Sequence, residues 1–296
     1  FVTAVVWIKK AAALTHKQTG RLDPKLADAI VTAADEILAG KHREHFVVDV
    51  YQAGAGTSHN MNVNEVLANR ANEMLGSERG KYSPVHPNDH VNMAQSTNDV
   101  IPTAIRIACV AQLPQLNESI QLLIDTLAKK GKEFDGIVKA GRTHLQDAMP
   151  IRLGQEFTAF AGTLARNLKR VNEAADYLRD LGIGGSAVGT GVNVEPQYPA
   201  LMVKYLNAMM DGKLRAGADR IQLMQSMGDA AAFSAAMKVL ALDLSKIASD
   251  LRIMVSGPRT GLDEITLPAV QPGSSIMPGK INPSIAEMVN QVCFQI

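Results

Sequence analysis

The stretch Gly273-Ser274-Ser275-Ile276-Met277-Pro278-Gly279-Lys280-Ile281-Asn282-Pro283 sets two hydroxyls and a lysine among glycines and prolines, just ahead of an apolar helical pattern. Backbone N–H groups gathered near a helix start suit a carboxylate, so the segment reads as a mobile loop closing over an anionic substrate. Asn282 also fits an N-cap and Pro283 the first helical position, so a plain flexible connection explains the same residues. A similar ambiguity holds for Asn92 to Asp99. There Ser96 and Asp99 match an S-x-x-D capping box around Thr97 and Asn98, and Pro102 suits the first turn of the helix that follows. In Gly141 to Asp147, the pair Thr143-His144 offers a hydroxyl beside a titratable ring, an arrangement that a hydrogen-bonded structural histidine shares. The stretch Gln52 to Asn60 carries Gly54, Gly56, Thr57 and Ser58. No Gly-Lys-Ser/Thr ending is present and no strand precedes it, which excludes a nucleotide loop.

These segments punctuate long helical patterns. Residues 219–256 contain no proline and one glycine, Gly228. Their apolar residues, among them Val239, Leu240, Leu242, Ile247 and Met254, occupy more than one helical face. One helix of about 36 residues, roughly 54 Å long, is expected there, and its natural setting is a bundle. Residues 155–181 carry Phe157, Phe160, Leu164, Leu168, Val171 and Ala175 at helical steps, and 102–134 forms a third long pattern with Pro114 as an expected kink. A fourth helix is expected from Pro283. Shorter helices are expected at about 3–14, 24–39 and 62–76. Strand signals are weak, so the class reads as all-α. The expected division is a mainly helical N-terminal domain, 1–98, and a central long-helix bundle, 99–296, incomplete at its C-terminal end.

Composition narrows the function classes. Apolar residues make up 46% and charged residues 20% of 296, with a formal net charge of +1. No concentrated positive field for nucleic acid follows from that balance. The seven histidines are scattered and suggest no metal-ligand cluster. Cys109 and Cys293 lie in apolar helical patterns outside any Cys-x-x-Cys pair, and two buried thiols without a disulfide framework fit a reducing cytoplasm. The opening FVTAVVWIKK places its charges after a short apolar run, unlike a signal peptide, and the run is too short to span a bilayer. Both ends look cut, and a longer polypeptide is expected.

Taken together, the segments AGAGTSHNMNVNEV, HVNMAQSTNDVIPTAIRIA, GRTHLQDAMPIRLGQEF, AVGTGVN and GSSIMPGKINP resemble the fumarase/aspartase superfamily in order and spacing over the whole chain. Ala53 and Ala94 depart slightly from the commonest motif residues. Ser96-Thr97-Asn98 and Gly54-Ala55-Gly56-Thr57-Ser58 are similar to the aspartase pattern. Class II fumarases more often carry Ser-Ser-Asn and Gly-Ser-Gly-Thr-Gln there, which makes them the next reading. A non-catalytic helical scaffold is the third, and a scaffold has no physical need for the polar set together.

The resemblance implies anti elimination across C2–C3 of a four-carbon dicarboxylate, ammonia leaving from aspartate or water from malate. By resemblance, Ser274 is the base, acting as an alkoxide that needs loop N–H groups and Lys280 to exist at all. Thr57, Ser96, Thr97 and Ser275 are implied donors to the carboxylate that becomes an enediolate. Thr143, Lys280 and Asn282 are implied for the other carboxylate, with Asn98 and His144 at the amino group. No organic cofactor is implied, and no metal at the chemical step. The implied assembly is a homotetramer with sites composed from several chains.

Overall fold

Residues 1–52 and 56–296 are described by the computed structural model, so Ala53, Gly54 and Ala55 of the glycine-containing segment lie outside the described residues. Helices dominate. They are α1 (Val2–Thr19), α2 (Pro24–Leu38), α3 (Thr57–Met74), α4 (Thr97–Glu133), α5 (Leu153–Tyr177), α6 (Tyr198–Met209), α7 (Arg220–Gln225), α8 (Gly228–Met254) and α9 (Ser284–Gln295). Two compact units result, one comprising residues 1–113 and 175–231, the other 114–174 and 232–296.

In the first unit, the alanine-rich α1 buries Ala4, Val5, Val6, Ile8, Ala11 and Ala12 and packs on α2, α3 and α6. It stops at Gly20, whose φ of 76° takes the left-handed conformation that ends a helix. Asp23 starts α2 by accepting from the N–H groups of Lys25 and Leu26, with Pro24 at the first position. Arg106 on α4 is buried and donates to the Tyr177 carbonyl at 2.9 Å and to Asp229 at 2.7 Å. In the second unit, Phe134, Phe157 and Phe160 meet edge to face. Gly131 and Gly154 let α4 and α5 approach closely: a Cβ on Gly154 would stand 2.2 Å from the Gly131 carbonyl oxygen.

The fold is predominantly helical, as expected, with two exceptions. A hairpin of β1 (Val138–Thr143) and β2 (Gln146–Arg152) holds the Thr143-His144 segment, and β3 (Asp180–Leu181) pairs in parallel with β4 (Arg215–Ala216). The hairpin hides from strand patterning because neither strand buries a residue and β1 contains Gly141 at a register shift. That glycine is required, since a Cβ there would sit 2.7 Å from the Met149 carbonyl oxygen.

Helix ends also depart from expectation. The single helix expected over 219–256 is two, because Ser226 turns extended at φ −104°, ψ 127° and its hydroxyl accepts from the Gly228 N–H at 3.1 Å, capping α8. α8 has 27 residues and so spans about 40 Å. α3 starts at Thr57, five residues earlier than its pattern suggested, with Gly56 at the N-cap in the left-handed region at φ 83°. α4 begins at Thr97, which puts Pro102 beyond the first turn, and runs unbroken through Pro114. Asn282 does not cap α9; Pro283 stands at that position. The two cysteines are free and half-buried rather than buried. On α8, Leu242 is 62% exposed and Val239 and Ile253 each 39%, so its extra apolar face is left uncovered by the described residues. Among the described residues no helix is long and apolar enough to cross a membrane.

Candidate active site

Each unit carries part of the predicted residue set. In the first unit, Ser96 caps α4: its hydroxyl accepts from the Asn98 N–H at 3.2 Å, and Asp99 Oδ1 accepts from the Ser96 N–H at 2.9 Å. The Asp99 half of the expected capping box is therefore formed, while the Ser96 hydroxyl takes the second helical N–H instead of the third. The other oxygen of Asp99 accepts from the N–H groups of Gly184 at 3.1 Å and Ser186 at 3.0 Å, while Asn98 donates to the Ala187 carbonyl at 2.8 Å. One buried carboxylate thus ties the Ser96-Thr97-Asn98 turn to the start of the AVGTGVN segment. Burial pushes the Asp99 carboxyl up to about 6, against the pull of those N–H groups and of Lys9.

Beneath the same turn lies Lys9, fully buried, donating to Asn92 Oδ1 at 2.8 Å and Gln95 Oε1 at 2.9 Å. Asn60 donates to Asn92 Oδ1 at 3.2 Å and reaches Thr97 Oγ1 at 3.5 Å. A polar chain therefore runs from a buried amine to Thr97. Burial lowers the Lys9 pKa to about 7, with the Asp99 charge pulling it partly back. Sequence reading missed Lys9 because a lysine in an apolar helical pattern normally reaches for solvent. Asn60, Asn92 and Gln95 lay within quoted motifs and had no role assigned. Thr57 is the first residue of α3 and is exposed.

In the second unit, the loop from Gly273 to Pro283 closes on itself. Ser274 Oγ accepts from the N–H groups of Ile276 at 3.3 Å and Met277 at 3.1 Å. Asn282 donates to the Gly273 carbonyl at 2.8 Å and accepts from Lys280 Nζ at 3.0 Å. Only glycine fits at the loop neck, where a Cβ on Gly273 would overlap the Lys280 carbonyl oxygen at 1.7 Å. Ser275 and Lys280 are exposed. Ser274, Lys280 and Asn282 are thus gathered in one loop, with Lys280 bonded to Asn282 and not to Ser274.

Thr143 and His144 stand at the hairpin tip, apart from that loop's hydrogen bonds among the described residues. Thr143 pairs with Gln146, leaving His144 and Leu145 as a two-residue turn with φ of 53° and 60°. Such turns favour Asn-Gly, and a histidine and a leucine there hold strained backbone of the kind that clusters at functional sites. His144 lines a cavity of about 480 Å³ together with Lys139, Arg142, Glu156, Lys246 and Asp250. At its edge Lys139 pairs with Glu156 at 2.7 Å and Glu264 at 2.6 Å, and Arg142 also pairs with Glu264. Burial raises the Glu264 carboxyl, but hydrogen bonds from Arg142 and Lys139 outweigh it and hold the group below its ordinary value. Those three residues brace the hairpin base. Of these three only Arg142 lay in a motif read from sequence, and it was given no role.

A lyase family model matches residues 2–296. The chain belongs to the lyase family, within the fumarase/aspartase superfamily. The aspartate ammonia-lyase of Bacillus subtilis (strain 168) is 50% identical over 296 residues, which is 100% of this chain and 62% of that protein. A class II fumarate hydratase of Neisseria meningitidis is 47% identical over 100% of this chain and 64% of its own length. The crystal structure of a fumarate lyase:delta crystallin from Brucella melitensis bound to cobalt superposes with a TM-score of 0.94 at 50% identity, covering 99% of this chain and 64% of that one. The chain thus spans a little under two thirds of the length of these relatives.

Proposed function

We propose that the protein acts as an aspartate ammonia-lyase, eliminating ammonia from L-aspartate to give fumarate. The observation that carries the reading is Ser274, whose hydroxyl oxygen already accepts from two backbone N–H groups. Donors aimed at an oxygen favour its anion, and an alkoxide is strong enough to take a proton from C3. In this mechanism the C3–H electron pair moves into the adjacent carboxylate, forming an enediolate. Thr57, Ser96, Thr97 and Ser275 stabilise it by donation. The enediolate then collapses to form the C2–C3 double bond, and the C2–N pair leaves with ammonia. Thr143, Lys280 and Asn282 hold the second carboxylate, and Asn98 and His144 hold the amino group. Binding donors that strengthen only as charge develops raise the rate without trapping the substrate.

The residues sit in two units, and the exposed apolar residues of α8 supply a surface for further chains. Both observations support a homotetramer in which several chains complete each site, and sedimentation of an active species tests it. Two free thiols favour a reducing, cytoplasmic setting. Class II fumarase is the second reading, supported by the Neisseria relative. Full-length protein is incubated with fumarate plus ammonium and, separately, with fumarate in water. Aspartate formed only with ammonium supports the proposal. Efficient malate formation without ammonium replaces it with the fumarase reading.

A further inference from the structure

Apart from the proposed lyase site, three ligand-type side chains come together in the first unit just after α2. His42, Glu44 and His45 each place one ligand atom within 4.8 Å of the others. The geometry follows from the local backbone. Residues 43–45 form a single 3-10 turn, and at three residues per turn positions i and i+3 eclipse. His45 is therefore stacked over His42, with ring centroids 6.1 Å apart and planes inclined by 15°. His42 reaches this position only through a left-handed backbone at φ 61°, uncommon for a residue with a Cβ.

We propose that His42, Glu44 and His45 bind a divalent transition ion of the Zn²⁺, Co²⁺ and Ni²⁺ class. Two imidazoles and one carboxylate form the donor set of an open zinc-type site, with room for water as a further ligand. That set suits imidazole-seeking ions and not Mg²⁺ or Ca²⁺, which take oxygen ligands. A carboxylate stands behind the cluster. Glu36 Oε2 lies 3.2 Å from His42 Nε2 and is itself fixed by Arg70, whose Nε and Nη2 donate to its two oxygens at 2.6 and 3.1 Å. Such a partner locks the orientation and tautomer of a ligating imidazole. Glu44 Oε1 lies 3.5 Å from His45 Nε2, so those two donors already face each other. His42 and His45 border a cavity of about 370 Å³ with Asn62, Glu65 and Asn69 in its wall. His42 is half-buried while Glu44 and His45 are exposed, so an ion can enter from solvent and still find one fixed ligand.

The simpler account is that His42 only extends the Glu36–Arg70 ion pair. The two accounts separate in one experiment on untagged, full-length protein stripped with chelator. Co²⁺ is titrated and followed by its visible absorption, and Zn²⁺ is titrated by calorimetry. One ion per chain is expected, with binding weakened at least tenfold in His42→Ala and in His45→Ala. Glu36→Gln should weaken it by about tenfold to a hundredfold through the orienting contact alone. Excess Mg²⁺ should not displace Co²⁺. Circular dichroism of each variant checks that the fold is retained. The proposal is overturned if the parent protein binds no ion, if binding survives unchanged in both histidine variants, or if Mg²⁺ competes on equal terms.

Discussion

Replacing Lys9 by methionine keeps the length of the buried stem and removes its proton-binding end. Burial drives the lysine from its ordinary 10.5 to about 7, the Asp99 charge opposing part of that fall. At about 1.4 kcal/mol for each tenfold change in proton affinity, the folded state disfavours the charged form by about 5 kcal/mol. The sign follows from proton counts. Between about pH 7 and 10 the unfolded chain keeps the lysine proton and the folded chain has released it, so stability rises with pH. Methionine has no such term. The parent should therefore gain about 3–4 kcal/mol over Lys9→Met between pH 7 and pH 10. The substitution also removes the Lys9 donor to Gln95 Oε1, while Asn92 Oδ1 keeps its bond from Asn60. An orphaned buried acceptor costs about 1–3 kcal/mol. Lys9→Met should thus match or exceed the parent near pH 7 and fall below it near pH 10. Urea unfolding at both pH values, at one protein concentration, measures the crossing. A stability gap that is the same at both pH values would refute the assignment of a destabilised buried charge.

Ser274→Ala should lower kcat by about a hundredfold to ten-thousandfold, the usual range for a general base, while binding of aspartate changes little; a direct binding assay beside steady-state kinetics separates the two. Near-normal kcat would place the base elsewhere, with His144 the next candidate. Asp99→Ala should cost about 3–5 kcal/mol in denaturant unfolding, because three N–H groups lose their acceptor inside the protein; a loss under about 1 kcal/mol would mean that water replaces the carboxylate. Leu145→Asn should stabilise the protein by about 1 kcal/mol, since a 68% exposed leucine at φ 60° gives way to a residue that accepts that backbone; a fall in thermal midpoint would show that the leucine makes a contact worth more than the strain.

Much of the helical order was legible because α4, α5 and α8 carry long apolar periodicity, and that signal needs no tertiary context. The ends were less legible, for reasons visible in the structure. At Ser226 a single hydroxyl caps a new helix, and nothing in the apolar pattern changes there. At Thr57 the run Thr-Ser-His-Asn reads as a loop by propensity, yet Asn60, Asn64 and Asn72 are all buried and held in α3 by its packing. The hairpin was missed because neither strand buries a residue, so no apolar core face imprints a hydrophobic alternation on the sequence.

The candidate site shows the same division between what a motif states and what packing supplies. Ser274 could be named from the loop sequence, but its two N–H partners depend on how the loop folds between Gly273 and Lys280. Asp99 could be read as half of a capping box. Its second oxygen, which binds the Gly184 and Ser186 N–H groups 85 and 87 residues away, had no local signature at all. One carboxylate doing both jobs explains why it stays buried despite a pKa pushed up to about 6. Ionised, it can accept from all three donors, whereas a proton would occupy one oxygen that the turn at Ser96-Thr97-Asn98 or its anchor needs. The charge on Lys9 favours that ionised form. The buried lysine and the buried aspartate are therefore best understood as one device that fixes the main chain beneath Thr97, and neither residue has to touch substrate to matter.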